Sequence, residues 1–118
     1  MKHLLLATAV VLSGAGAALA GGNVSLTDQM GWFNGSSTTQ LGHHNAAITV
    51  QRDLANSSIT VQRGSANFSG TGQTGAFNSS ITDQLGHGNY STTVQGRIGN
   101  SSSTIQTGVG NVSSTVQN

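Results

Sequence analysis

Asn56-Ser57-Ser58-Ile59-Thr60-Val61-Gln62-Arg63-Gly64-Ser65-Ala66 is followed at Asn67 by the start of the same pattern, eleven residues on. Outward from this unit, Gln stands at 29, 40, 51, 62, 73, 84, 95, 106 and 117 and nowhere else in the chain. Asn keeps the same step at 23, 34, 45, 56, 67, 78, 89, 100 and 111, and only Asn118 is out of register. Thr holds it at 27, 38, 49, 60, 71, 82, 93, 104 and 115. Ser lies two after Asn in every unit except one, where Ala47 replaces it. A fixed step sustained along a chain marks a repeat architecture, in which one supersecondary unit is stacked on the next.

The constant residues fall on alternate positions, as in a strand with two unlike faces, and the 3- and 4-residue spacing of a helix is absent. Strands are therefore predicted at 23–29, 34–40, 45–51, 56–62, 67–73, 78–84, 89–95, 100–106 and 111–117. The four residues between them are read as tight turns. Gly31, Gly42, Gly64, Gly75, Gly86 and Gly108 hold the second turn place, and Asp53 and Arg97 hold it elsewhere. An all-β solenoid fits this pattern, with two units per 22-residue coil and like residues stacked between coils at about 4.8 Å. An antiparallel meander would set the Asn end of each strand against the Gln end of the next. It gives no reason for one amide to recur in register.

Which face turns inward is a contest between two arguments. Val24, Leu26, Ile48, Val50, Ile59, Val61, Val94 and Val116 lie on the variable parity, and burial of apolar area alone favours putting them inside. The same parity carries Asp28, Asp83, Gly70 and Gly72, which fill a core badly. The uniform Asn, Ser, Thr and Gln parity is read as the interior, on condition that each polar group finds a partner along the stack.

Composition narrows the function. Among 118 residues only 6% are charged and 4% aromatic, and there is no Pro and no Cys. That excludes a disulfide framework and a thiolate metal site. Residues 1–20 read as a secretory signal peptide: Lys2 and His3, an apolar run over 4–12, then Ala18-Leu19-Ala20 before a cut at Gly21. The run is far shorter than a membrane span. Residues 21–118 keep Arg52, Arg63 and Arg97 against Asp28, Asp53 and Asp83, so their net charge is zero. Nothing electrostatic draws them to nucleic acid or anionic lipid. With no Glu and each Asp alone, no catalytic constellation forms, and neither enzyme activity nor a cofactor is expected. His43, His44 and His87 are read as solvated turn residues. The Asn-x-Ser triplets, which have the form of glycosylation acceptors, are explained by the repeat itself.

Spelled as Gln-x-Gly-x-x-Asn-x-Ser/Ala-x-x-x-Gln, the unit resembles the curlin repeat of bacterial curli fibres. The stretches from Gln40 through Gly42, Asn45 and Ala47 to Gln51, and from Gln84 through Gly86, Asn89 and Ser91 to Gln95, match it position by position. The resemblance covers 23–117. It implies an amyloid-forming subunit exported by a Gram-negative bacterium, building an extracellular fibre for adhesion and biofilm. Its partners would be copies of itself head to tail, a nucleator subunit and an outer-membrane secretion pore. The family's inward stacking roles fall here on Asn34, Ser36, Gln40, Asn45, Ala47, Gln51, Asn56, Ser58 and Gln62. They continue on Asn67, Ser69, Gln73, Asn78, Ser80, Gln84, Asn89, Ser91, Gln95, Asn100, Ser102, Gln106, Asn111, Ser113 and Gln117. Curlin strands usually carry an aliphatic residue where this chain has Thr, so the interior here is expected to be unusually polar.

Neither end of the repeat array carries an atypical capping unit, and uncapped rungs invite pairing with another copy. Nine half-coils make an odd count, so stacked copies are expected to alternate by a half-turn. The rival from another class is an ice-binding solenoid. It requires the constant face to point outward, so that Ser58-x-Thr60 and its copies form ordered ranks of hydroxyls and methyls.

Overall fold

A computed structural model of the chain describes residues 21–118, and the proposed signal peptide lies outside the described residues. Nine strands follow in chain order: β1 Val24–Trp32, β2 Gly35–His43, β3 Ala46–Leu54, β4 Ser57–Ser65, β5 Phe68–Ala76, β6 Ser79–His87, β7 Tyr90–Gln95, β8 Ser101–Val109 and β9 Val112–Gln117. Odd strands form one parallel sheet in the order β1-β3-β5-β7-β9, and even strands a second in the order β2-β4-β6-β8. The chain crosses from sheet to sheet at every unit, so two units complete one coil. Every pairing joins residue i to i+22, as in Gln29 with Gln51 and Gln40 with Gln62. The architecture is a β-solenoid of about four turns.

Apart from β7 and β9, the strands run longer and the turns are tighter than the sequence implies. Pairing continues past Gln through the glycine place, so β2 reaches His43 and β4 reaches Ser65. Gly64 therefore stays inside the ladder, at φ +112°. A Cβ there would lie 2.0 Å from the carbonyl oxygen of Gly86 in the next coil, so the place is reserved by close approach as much as by dihedral freedom. The reversal is made further on, by the residue just before Asn. Phe33, His44, Ala55, Ala66 and Phe77 all take left-handed φ between 53° and 59°. L-residues adopt that region at a cost of about 1–2 kcal/mol. The corner is tied to the coil before it, since its N–H still donates along the ladder, as Ala66 does to the His43 carbonyl at 3.0 Å.

Two units meet the glycine place differently. Asp53 sits there at φ 80° and Arg97 at φ 67°. The Asp53 carboxylate accepts the N–H of Gly75 at 3.0 Å, which gives the carboxylate a corner role. At Arg97 the pairing thins: β7 stops at Gln95, and a single bridge from Ala76 to Ile98 carries the ladder on.

The constant face is the interior. Gln51, Gln62, Gln73, Gln84 and Gln95 are at most 1% exposed, and Ala47 is the one buried hydrophobic side chain among the described residues. Ile59, Ile81, Val94, Ile105 and Val116 lie on the outer faces. Apolar burial therefore contributes little, and backbone and side-chain hydrogen bonds hold the coils together. In urea unfolding followed by circular dichroism, Gly64→Ala should lower the midpoint. Gly72→Ala should raise it by the equivalent of about 0.5–1 kcal/mol, because Gly72 lies mid-strand with nothing within 4 Å of a Cβ.

Candidate functional site: amide ladders and end rungs

Each Gln enters the core from the end of its strand, and those from Gln40 to Gln95 make two bonds with one amide nitrogen. Nε2 donates to Oε1 of the Gln one coil on, at 2.6–2.9 Å, along the columns Gln29–51–73–95–117 and Gln40–62–84–106. It also donates to a backbone carbonyl at the start of the preceding strand, as Gln62 does to Ala46 and Gln117 to Ser101, both at 2.9 Å. That second bond crosses between the sheets. A carbonyl accepts only from the nitrogen, so the crossing bond fixes which way every amide points. All Gln amides consequently donate toward higher residue number.

Asn braces the corner. Its Nδ2 reaches back four residues across the turn, as from Asn56 to the Arg52 carbonyl at 2.6 Å, and forward to the next coil, as from Asn56 to the Gly75 carbonyl at 3.0 Å. Asn100 makes the backward bond to Gly96. Oδ1 accepts the backbone N–H of the Asn one coil on at 3.0–3.1 Å, from Asn23 through to Asn89. One side chain thus satisfies three backbone groups that a bare corner would leave unpaired. Neither a carboxylate nor an apolar residue offers both donor and acceptor here.

The hydroxyl columns behave differently. The Oγ atoms of Ser36, Ser58, Ser69, Ser80 and Ser91, and Oγ1 of Thr71, Thr82 and Thr93, are buried without a hydrogen-bond partner among the described residues. Their regularity comes from size: only a small side chain fits between facing strands, and Ala47 fills the same place at 1% exposure. Of the predicted stacking residues, those from Asn45 to Gln95, together with Gln40, Ser102 and Gln106, are buried. Asn34, Ser36, Asn100, Asn111, Ser113 and Gln117 are half-buried at the ends. The histidines hold no metal-like cluster among the described residues. His43 and His87 share an outer column with Ser65 between them, and Ser65 Oγ lies 2.7 Å from His87 Nδ1.

The left-handed corner residue was not singled out from the sequence, although a signal was present: glycine stands directly before Asn four times, at Gly22, Gly88, Gly99 and Gly110. No family model matches the chain, and no curated protein matches it.

Two substitutions separate the bonded column from the merely small one. Gln84→Ala removes the acceptor of Gln62 Nε2 and the donor to Gln106 Oε1. With a buried unpaired group costing about 1–3 kcal/mol, guanidinium unfolding should show a loss of at least about 3 kcal/mol. Ser80→Ala breaks no hydrogen bond and should shift stability by less than about 1 kcal/mol.

Proposed function

We propose that the chain is the structural subunit of an extracellular, curli-like amyloid fibre that serves cell adhesion and the biofilm matrix. One observation carries the reading: the internal bonding pattern is periodic along the axis and, among the described residues, the outermost rungs are chemically unfinished. Among the described residues, β8 and β9 are the last strands of their sheets at the C-terminal end, and β1 and β2 the first at the N-terminal end. Each offers a row of backbone donors and acceptors to a further strand. Gln106 and Gln117 also hold an amide N–H that no described residue accepts. An absence of net charge over residues 21–118 leaves nothing to repel an incoming copy.

The curlin resemblance of the Gln-x-Gly-x-x-Asn unit supplies the biological setting. From it come the Gram-negative cell surface, export through an outer-membrane pore, and a nucleator partner. The ice-binding alternative needs outward Ser-x-Thr ranks, whereas Ser58 and Thr60 are 1% and 2% exposed. The reading that remains is polymeric and needs no cofactor.

Purified residues 21–118 should form thioflavin-positive fibres visible by electron microscopy within a day, with fibre diffraction near 4.8 Å along the axis. A lasting soluble monomer with thermal hysteresis would overturn the reading. Gly70 and Gly72 weaken the middle of β5, and a Cβ on either meets nothing nearer than 3.4 Å. The double substitution Gly70→Val with Gly72→Val should therefore shorten the thioflavin lag.

A further inference from the structure

The two ends of the solenoid are complementary, and they are stepped. Among the described residues, five strands in one sheet against four in the other leave β9 standing one rung beyond β8. The step is an open cleft of about 490 Å³, lined among others by Ser103, Thr104, Gln106, Asn111, Ser113 and Thr115. Because every Gln amide points the same way, this end presents unused Nε2–H donors on Gln106 and Gln117. It also presents Oδ1 of Asn100 and Asn111, which accept no backbone N–H from a following coil among the described residues. The opposite end presents the converse set: Oε1 of Gln29 and Gln40, to which no described residue donates, and the backbone N–H of Asn23 and Asn34, which no side chain of a preceding coil accepts among the described residues. Like ends set donor against donor. Unlike ends match at all four places.

We propose that this step is the docking site for the first coil of a second copy, turned by half a revolution so that its β1 pairs with β8 and its β2 with β9. The proposal rests on the fibre reading above and specifies its junction. Continuing the 22-residue register sets Gln29 of the incoming copy on Gln106, Gln40 on Gln117, Asn23 on Asn100 and Asn34 on Asn111. On the outer face Leu26 then lies beside Ser103, and Met30 beside Thr107. An unturned copy would instead pair β1 with β9, placing Leu26 beside Ser114. It would also leave a gap one strand wide above β8, with Gln106 unbonded. Gly108 fits the turned arrangement. It keeps φ +117° like the glycines below it, yet a Cβ there would meet only the Asn111 side chain, at 3.5 Å. In Gly42, Gly64 and Gly86 the same space is filled by the carbonyl of the following coil.

The chain has no Cys, so paired cysteines report the junction without background. Fibres of residues 21–118 carrying Leu26→Cys with Ser103→Cys are oxidised, dissolved and run on a denaturing gel. Neighbouring strands lie within disulfide reach, whereas positions 26 and 103 of one chain are more than three coils apart. A ladder of covalent multimers, with most of the protein above monomer, is the expected result. Met30→Cys with Thr107→Cys reads the same register, should the first pair hinder assembly. Leu26→Cys with Ser114→Cys should stay monomeric. A ladder from that pair overturns the half-turn, and monomer from every pair in thioflavin-positive fibres overturns the end-to-end junction. Absence of fibres from the unsubstituted chain fails the fibre reading itself, and the junction with it.

Discussion

The side-chain amide bonded to its own kind one coil away is the constraint on which the rest depends. A Gln in a dry interior needs partners for two N–H groups and an oxygen, and burial without them is costly. Here one N–H goes to a carbonyl of the facing sheet and the other to the next Gln, while the oxygen accepts from the Gln before. A slip of one residue would turn the amide to solvent and expel the whole column. Register is thus set residue by residue from within, at a point where an apolar core would tolerate sliding.

Parallel sheets in most proteins are covered on both faces. In this chain the apolar residues lie outward, including Leu26, Trp32, Ile59, Ile81 and Val94. The interior has no volume for them: the facing strands are close enough that Ser, Thr or Ala fills the middle of each rung. The apolar side chains are left to align in columns along the outside, where Phe68 stacks on Tyr90 with ring centroids 4.8 Å apart. In-register stacking of this sort recovers part of the contact that burial would have given.

The eleven-residue step makes the coil, the number of strands and the i to i+22 register legible in the sequence. It also draws the eye to Asn and Gln, because an invariant amide at fixed spacing has few explanations other than a ladder. Three things were less legible. Gly64 and its equivalents looked like the turn itself, because positive φ is the familiar reason for a glycine, but the carbonyl of the next coil is equally what excludes a side chain there. Ser58 and Ser80 repeat as faithfully as Gln62, yet they bond to nothing described. Periodicity reports that a position is constrained; whether the constraint is a bond or a volume is visible only in three dimensions. The corner at Ala66 was hidden for a related reason: a left-handed residue need not be glycine when its N–H stays bonded to the coil before it.

The common direction of the amides has a thermodynamic consequence. Dipoles laid head to tail polarise one another, so each bond in a chain of them is stronger than the same bond alone. The first coils have few neighbours to polarise them and bear the full entropy of ordering a flexible, glycine-containing chain. Later coils join a stack already aligned. Cooperativity of this form separates a slow, unfavourable beginning from a fast, favourable continuation, and it arises from the orientation of one side-chain group.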